Sequence, residues 1–120
     1  MDCYNANPAS TDAALRALAA LPGARRVAVL GLMAELGVDT EERHRAMAVL
    51  AEDLGIEVRG YQTELYGTAV VPDVEGAVEL LRSLSPSDAV LLKGSRVARL
   101  EDVVTAYGAS VGAQSPVADA

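Results

Sequence analysis

Two short apolar runs decide the fold: Val-Ala-Val-Leu-Gly at residues 27–31 and Ala-Val-Leu-Leu-Lys-Gly at residues 89–94. Neither run alternates apolar with polar side chains, as a strand with one solvated face would. Continuous apolar strands between helical segments are typical of a parallel sheet that is covered on both faces. Weaker strand candidates lie at residues 56–60 and 68–71. We therefore expect an open α/β layer fold, with a mostly parallel sheet and helices on both faces.

Helical periodicity occupies the intervals between these strands. Asn7 suits a helix N-cap and Pro8 the first helical position, so the first helix is expected to begin there. A second helix has its apolar spacing at residues 47–54, and Asp39 and Glu42 stand before it at capping-box spacing. The alternation of strands and helices supports the layered α/β arrangement.

The remaining segments complete the expected domain. A third helix is expected at residues 74–81, after a Pro-Asp pair, and a fourth at residues 100–107. The domain is expected to span residues 1–109 and to be followed by a flexible tail at residues 110–120. The residues before the first helix resemble a loop that follows a strand, although only Met1 precedes them. The first strand is therefore expected to be truncated.

Composition excludes several classes of protein. Of the 120 residues, 51% are apolar and 22% are charged, which excludes intrinsic disorder. Aromatic residues amount to 3%, all of them tyrosine, and the net charge is −7, so nucleic acid is an unfavourable partner. Cys3 is the only cysteine, and no apolar run is long enough to span a membrane. We expect a cytoplasmic protein with neither a nucleic-acid nor a membrane partner.

Candidate site residues are sought at the carboxyl ends of the strands, because open parallel sheets bind their ligands there. The segments to consider are residues 2–10, 31–44 and 93–96. None of them contains a Walker A or a GxGxxG motif, so no standard loop for a triphosphate is expected in this chain.

The segment before the first helix is rich in uncharged polar side chains. Tyr4, Asn5 and Asn7 could present hydroxyl and amide groups to a base or a ribose, or they could serve turn and cap chemistry alone. Glu35 stands alone among apolar residues after the strand at residues 27–30. Its carboxylate could hold a ribose, a metal or an amine, or it could be a solvated loop residue.

Two further candidates are His44 and the segment after the last strand. His44 lies on the apolar face of the second helix, where a structural role is favoured over a ligand role. Lys93, Ser95 and Arg96 place two cations and a hydroxyl before a helix, which favours an anion site over a glycine turn. Lys93 is the only lysine among the ten basic residues, for which codon usage in a GC-rich genome is favoured over a need for a compact ammonium group at this position.

Four motifs, taken in order, resemble one family. Asp-x-Tyr-Asn-Ala-Asn-Pro-x-Ser occupies residues 2–10 and Leu-Gly-x-Met-x-Glu-Leu-Gly residues 30–37. His44 follows, and Leu-Lys-Gly-Ser-Arg occupies residues 92–96. Across residues 2–109, the order and spacing resemble the C-terminal domain of the Mur ligases. Within that family they are similar to the ligases that add D-alanyl-D-alanine to UDP-N-acetylmuramoyl-tripeptide, and the resemblance implies a Rossmann-like sheet.

The resemblance implies an ATP-dependent amide ligase of peptidoglycan synthesis. In that family ATP phosphorylates the terminal carboxylate of the tripeptide, and the amine of the dipeptide then attacks the acyl phosphate, giving the pentapeptide, ADP and phosphate. The N-terminal and central domains of the ligase are implied as partners of this chain. The central domain would bind ATP and Mg²⁺ for the most part, so no metal site is expected here, and the isolated chain is expected to be inactive.

The resemblance also implies roles for individual residues. Asn5, Asn7 and Tyr4 would line the adenosine end of the nucleotide. Glu35 and His44 would lie at the cleft between domains, without an assigned role.

The segment after the last strand would serve catalysis. Lys93, Ser95 and Arg96 would face the dipeptide and the reacting phosphate, where cations stabilise the charge that develops during the reaction. Leu32 departs from the family pattern, because this position is often acidic in the family. That departure puts in doubt any polar contact usually made from this position.

Two other functions remain open from the residues alone. One is a non-catalytic α/β regulatory or interaction module, such as a receiver domain. A receiver needs an aspartate after its central strand, and here that strand is followed by residues 31–33, Gly-Leu-Met. The other is a poorly folded remnant of a broken gene, against which cooperative thermal unfolding would argue.

Overall fold

The computed structural model describes residues 7–33 and 37–94. The helices are α1 (Pro8–Ala20), α2 (Thr40–Asp53) and α3 (Val74–Arg82), and a short 3₁₀ helix, Gly37–Asp39, leads into α2. The strands are β1 (Arg26–Leu30), β2 (Glu57–Tyr61), β3 (Val70–Val71) and β4 (Ala89–Lys93). The predicted fourth helix, the tail and the truncated first strand lie outside the described residues.

The described strands form one parallel sheet in the order β3-β2-β1-β4. β1 is central, because it pairs with β2 on one side and with β4 on the other. In that second pairing Leu30 lies opposite Lys93. β3 adds a short edge beside the end of β2. The predicted parallel sheet is confirmed, and each strand predicted from the apolar runs is present with small shifts at its ends.

Helices cover both faces of the sheet, as predicted. Successive strand residues point to opposite faces, so each strand contributes to two cores. The core under α1 and α2, on what we call the α1–α2 face, contains Ala14, Leu15, Leu18, Ala28, Leu30, Ala51, Ile56, Val58, Tyr66, Ala89 and Leu91. The core on the α3 face contains Val29, Tyr61, Val71, Ala77, Leu81, Val90 and Leu92. Within the two described ranges, no helix combines the length and apolar character that crossing a membrane requires.

Helix starts follow local capping chemistry in two of the predicted places. The side chain of Asn7 accepts a hydrogen bond from the Ser10 N–H at 2.9 Å, and Pro8 occupies the first position of α1. Asp73 caps α3 by accepting from the Gly76 N–H at 2.8 Å. Both carboxamide and carboxylate oxygens here satisfy N–H groups that lack a partner within the helix.

The predicted capping box before α2 is wrong. Asp39 precedes the first residue of α2, but its side chain makes no cap hydrogen bond. The reason lies in its backbone, which has φ −93° and ψ 13° as the last residue of the 3₁₀ helix and is not extended like that of a capping residue. Glu41 and Glu42 in the first turn instead place negative charge near the positive end of the helix dipole.

The amino ends of the strands are held by charged side chains. The Arg25 guanidinium donates to both carboxylate oxygens of Glu57, at 2.8 and 2.9 Å. Asp88 is buried, and its carboxylate accepts from the N–H groups of Arg25 at 3.1 Å and Ser85 at 2.9 Å. We call Arg25, Glu57, Ser85 and Asp88 the amino-end cluster.

Candidate functional site

The chain leaves β1 through a segment whose backbone is held by buried side chains. The Met33 N–H donates to Nε2 of His44 at 2.8 Å, and both residues are buried. Because Nε2 accepts, the ring proton lies on Nδ1, from which it reaches the carbonyl oxygen of Thr40 in the preceding turn of α2. His44 is therefore a neutral imidazole that links α2 to the end of β1.

Tyr66 holds the same segment from a different direction. It lies between β2 and β3, and its hydroxyl donates to the Gly31 carbonyl at 2.6 Å. Its ring meets the His44 ring edge to face, with the ring centroids 4.9 Å apart. Burial raises the pKa of the Tyr66 hydroxyl, so it remains a proton donor at neutral pH.

The ends of β1 and β4 are in direct backbone contact. The Gly31 N–H donates to the carbonyl oxygen of Lys93 at 2.8 Å. Gly94 has φ +133°, and a Cβ atom there would lie 2.9 Å from the Gly31 Cα. Only glycine at position 94 permits this approach, because any side chain would collide with the backbone of β1.

Lys93 occupies the last position of β4 and is buried, with 2% of its surface exposed. Because strand side chains alternate, it lies on the α1–α2 face with Ala89 and Leu91. A lysine is rarely buried this far, and its position at the carboxyl end of the strand is where open α/β sheets bind ligands. We call residues 31–33, His44, Tyr66, Lys93 and Gly94 the carboxyl-end cluster.

The start of α1 also reaches this cluster. The buried hydroxyl of Thr11 donates to the Met33 sulfur at 3.8 Å. Asn7 lies one turn earlier and is exposed, with its side-chain oxygen committed to the helix cap. Cap chemistry thus accounts for that oxygen, and a contact between Asn7 and the nucleotide stays a prediction.

The structure brings together two of the predicted site residues, His44 and Lys93, on either side of the end of β1. The structural role favoured for His44 accounts for both of its ring nitrogens. Leu32 lies between Gly31 and Met33 in the sequence and is 42% exposed. The other predicted site residues lie outside the described residues: Tyr4, Asn5, Glu35, Ser95 and Arg96.

Tyr66 is the member of the cluster that sequence reasoning missed. Its sequence signal is weak, because it follows no strand directly and stands among turn residues in Leu65-Tyr66-Gly67. Composition offered a better signal. The chain has four tyrosines and no phenylalanine or tryptophan, so any large aromatic ring in the core must come from one of these four residues. Among residues 7–33 and 37–94, no group of three His, Cys, Asp or Glu side chains could hold a metal ion.

A surface groove of about 500 Å³ lies between α2 and β2 and includes Tyr66 and Gly67 in its lining. The arginines of its wall already meet carboxylates: Arg59 lies 3.3 Å from Glu57, and Arg45 lies 3.5 Å from Glu41. Lys93 and His44 do not line this groove. Of the carboxyl-end cluster, Tyr66 alone lines this groove.

Comparison with known proteins places the chain among ligases. The sequence profile of the family described as "Mur ligase, glutamate ligase domain" matches residues 1–96. The chain is 38% identical, over 116 residues, to the UDP-N-acetylmuramoyl-tripeptide–D-alanyl-D-alanine ligase of Escherichia coli, which covers 88% of this chain and 25% of that enzyme. The ligase of the same name from Treponema pallidum is 51% identical over 51 residues, which make up 42% of this chain and 11% of that enzyme.

A solved structure agrees with the sequence comparison. The crystal structure of MurF ligase from Thermotoga maritima in complex with ADP superposes with a TM-score of 0.72 and 27% sequence identity. The match covers 92% of this chain and 28% of that one. The chain thus spans about a quarter of the length of the relatives it matches.

Proposed function

The chain belongs to the Mur ligase family and matches its glutamate ligase domain, and on that premise we propose that it is the C-terminal domain of an ATP-dependent ligase. The reaction we propose is the addition of D-alanyl-D-alanine to UDP-N-acetylmuramoyl-tripeptide in peptidoglycan synthesis. The observation that carries the proposal is the likeness to ligases of that name across most of the chain. The N-terminal and central domains of such a ligase are its proposed partners, and the cytoplasm is its proposed location.

The proposed role of this domain is to close over the nucleotide and bring the dipeptide to the activated carboxylate. ATP supplies the phosphoryl group that makes the tripeptide carboxylate reactive toward an amine. Mg²⁺ is proposed to be held mainly by the central domain. Closure would exclude water, which would otherwise hydrolyse the activated carboxylate.

Lys93 is proposed to face the dipeptide and the reacting phosphate, together with Ser95 and Arg96. What supports this role is the burial of Lys93 at the carboxyl end of β4. A cation held in a water-poor site stabilises developing negative charge more strongly than one in bulk water. The chemistry of an ammonium group therefore fits the anionic intermediate that amide formation passes through.

The nucleotide is proposed to meet the start of α1. Asn5, Asn7 and Tyr4 would line its adenosine end, and Glu35 and His44 would lie at the cleft between domains. The exposure of Asn7 at the amino end of α1 supports this arrangement, since a nucleotide could reach its amide there.

A chimeric ligase tests the proposal. The chain would replace the C-terminal quarter of the Escherichia coli relative, and phosphate release would be measured with UDP-N-acetylmuramoyl-tripeptide and D-alanyl-D-alanine. We expect turnover that requires both substrates, with no turnover by the two remaining domains alone. Turnover that persists with D-glutamate in place of the dipeptide would contradict the proposed substrate.

The Lys93→Ala variant of the chimera tests the residue assignment. We expect kcat to fall about 100-fold or more, because one stabilising donor in an acyl-transfer site contributes on that scale. The control is Leu81→Ala, a truncation in the core on the α3 face, which should leave kcat close to that of the unmodified chimera. Equal losses in the two variants would assign Lys93 a structural role alone.

A further inference from the structure

Tyr66 belongs to the core on the α1–α2 face, and the buried ring of His44 packs against it. Each of the two side chains also uses a buried polar group to make a hydrogen bond with the backbone at the end of β1. Each of those bonds is neutral, and each would leave a buried backbone group without a partner if the side chain were lost. Two buried side chains thus hold the backbone of one three-residue segment, which indicates a role beyond packing.

The contacts form a continuous path to Lys93. The His44 ring fixes the Met33 N–H, the Tyr66 hydroxyl fixes the Gly31 carbonyl, and the two rings brace each other. The Gly31 N–H then holds the Lys93 carbonyl, so the position of the lysine backbone depends on the position of Gly31.

We propose that His44 and Tyr66 are positioning residues that set the location of the Lys93 ammonium group through the backbone of residues 31–33. The catalytic meaning of this proposal rests on the proposed function, in which Lys93 faces the reacting groups. The positioning itself does not, since it concerns only contacts within the described chain. Neither His44 nor Tyr66 touches substrate in this account, and each acts through the segment that it holds.

The sequence supplies a direct readout, because Lys93 is the only lysine of the chain. Acetic anhydride therefore modifies two kinds of amine, Lys93 and the N-terminus, and mass spectrometry of proteolytic fragments separates them. At 2% exposure, Lys93 should react slowly until the end of β4 opens. Its acetylation rate, relative to that of the N-terminus, measures how firmly the cluster is held.

Both variants keep a ring in place, and Tyr66→Phe removes one hydrogen bond whereas His44→Phe removes two. Tyr66→Phe deletes the hydroxyl that holds Gly31, and His44→Phe deletes the acceptor for Met33. In each we expect Lys93 to be acetylated about tenfold faster or more, since a lost buried hydrogen bond of ordinary strength corresponds to such a factor. The matched control is Leu81→Ala. All variants are compared at the same free energy of unfolding, which is adjusted with low concentrations of urea. In this control the acetylation rate of Lys93 should change little.

The outcomes separate the two proposals. Acetylation of Lys93 that accelerates equally in Leu81→Ala and in the two ring variants would overturn the positioning role, because general destabilisation would explain it. In an active chimera, the ring variants should lower kcat while the KM for ATP stays nearly constant, and an unchanged kcat would overturn the catalytic meaning of the positioning. A chimera that is inactive without any substitution would count against the proposed function, and the acetylation rates would still decide the positioning role.

Discussion

The two ends of the same sheet are held by different chemistry. At the amino-end cluster, charged groups carry the contacts: Arg25 pairs with Glu57 at the surface, and the carboxylate of Asp88 accepts from two backbone N–H groups. At the carboxyl-end cluster, a neutral imidazole and a phenol hold the backbone, both fully enclosed.

The difference reflects what each end must leave available. In the proposed function Lys93 meets anionic groups, and a second charged side chain at the carboxyl end would compete with it for them or attract them elsewhere. Neutral donors and acceptors hold the backbone without adding a charge to the field around the lysine. No ligand is proposed for the amino end, where an ion pair and a buried carboxylate hold the strands.

The largest loss of stability is expected from Gly94→Ala, a substitution within the carboxyl-end cluster. The new Cβ would lie 2.9 Å from the Gly31 Cα at a residue with φ +133°. Steric overlap and backbone strain together should lower the free energy of unfolding by about 3 kcal/mol or more. Urea denaturation measures the loss.

Gly37→Ala is the control for this substitution. Gly37 also has a positive φ, +67°, but a Cβ there would meet no atom of residues 7–33 and 37–94 within 4 Å. Its cost should be about 1 kcal/mol, from backbone strain alone. Equal costs at the two positions would show that the close approach of the strands contributes nothing.

An intermediate effect is expected from Asp88→Ala at the amino end. Without the carboxylate, the N–H groups of Arg25 and Ser85 lose their acceptor close to the protein interior. We expect the free energy of unfolding to fall by about 2 kcal/mol. The acetylation rate of Lys93, compared at equal stability, should not change, since Asp88 lies at the opposite end of β4. A faster rate would mean that the two ends of the sheet are not independent.

The smallest effect is expected from Glu57→Gln. The hydrogen bond from Arg25 lowers the pKa of Glu57 below its usual value, with the positive charge of Arg25 adding to it. A lowered pKa in the folded state stabilises the protein above the unfolded pKa, and this contribution is lost as pH falls through the folded pKa.

At neutral pH the variant should therefore cost less than about 1 kcal/mol, because the pair is more than one-third exposed and screened by solvent. As the pH falls through the lowered pKa of Glu57, the two proteins should approach equal stability, since the carboxylate becomes protonated. Unfolding measured between pH 3 and pH 7 tests both the size and the sign. A cost that grows as the pH falls would refute the assignment.

The sequence predicted the sheet because its information is local. The runs at residues 27–30 and 89–92 are short and continuously apolar, which is typical of buried strands. Asn7 and Asp73 are residues that commonly cap helices, and each caps the helix that follows it. Asp39 misled for an equally local reason. Its spacing to Glu42 fits a capping box, but the backbone before α2 turns in a 3₁₀ helix that side-chain types do not reveal.

The site was only partly predictable, because it depends on contacts between distant segments. Position at the end of a strand identified Lys93, and helical periodicity placed His44 on a buried face. The role of Tyr66 was not predicted, because no neighbouring residue in the sequence indicates that its hydroxyl binds the Gly31 carbonyl. The close approach of Gly31 and Gly94 was likewise invisible, since it arises only once β1 and β4 lie side by side.

The strand order has a consequence for how the chain folds. β1 and β2 are joined through α2 and can pair early, whereas β1 and β4 pair only after β2, β3 and α3 have been traversed. Closing the longer loop costs more chain entropy, so the contact between Gly31 and Lys93 should form late. Lys93 therefore has no defined place until the last described strand has docked. A chain released from the ribosome before β4 would contain most of the core and would lack Lys93.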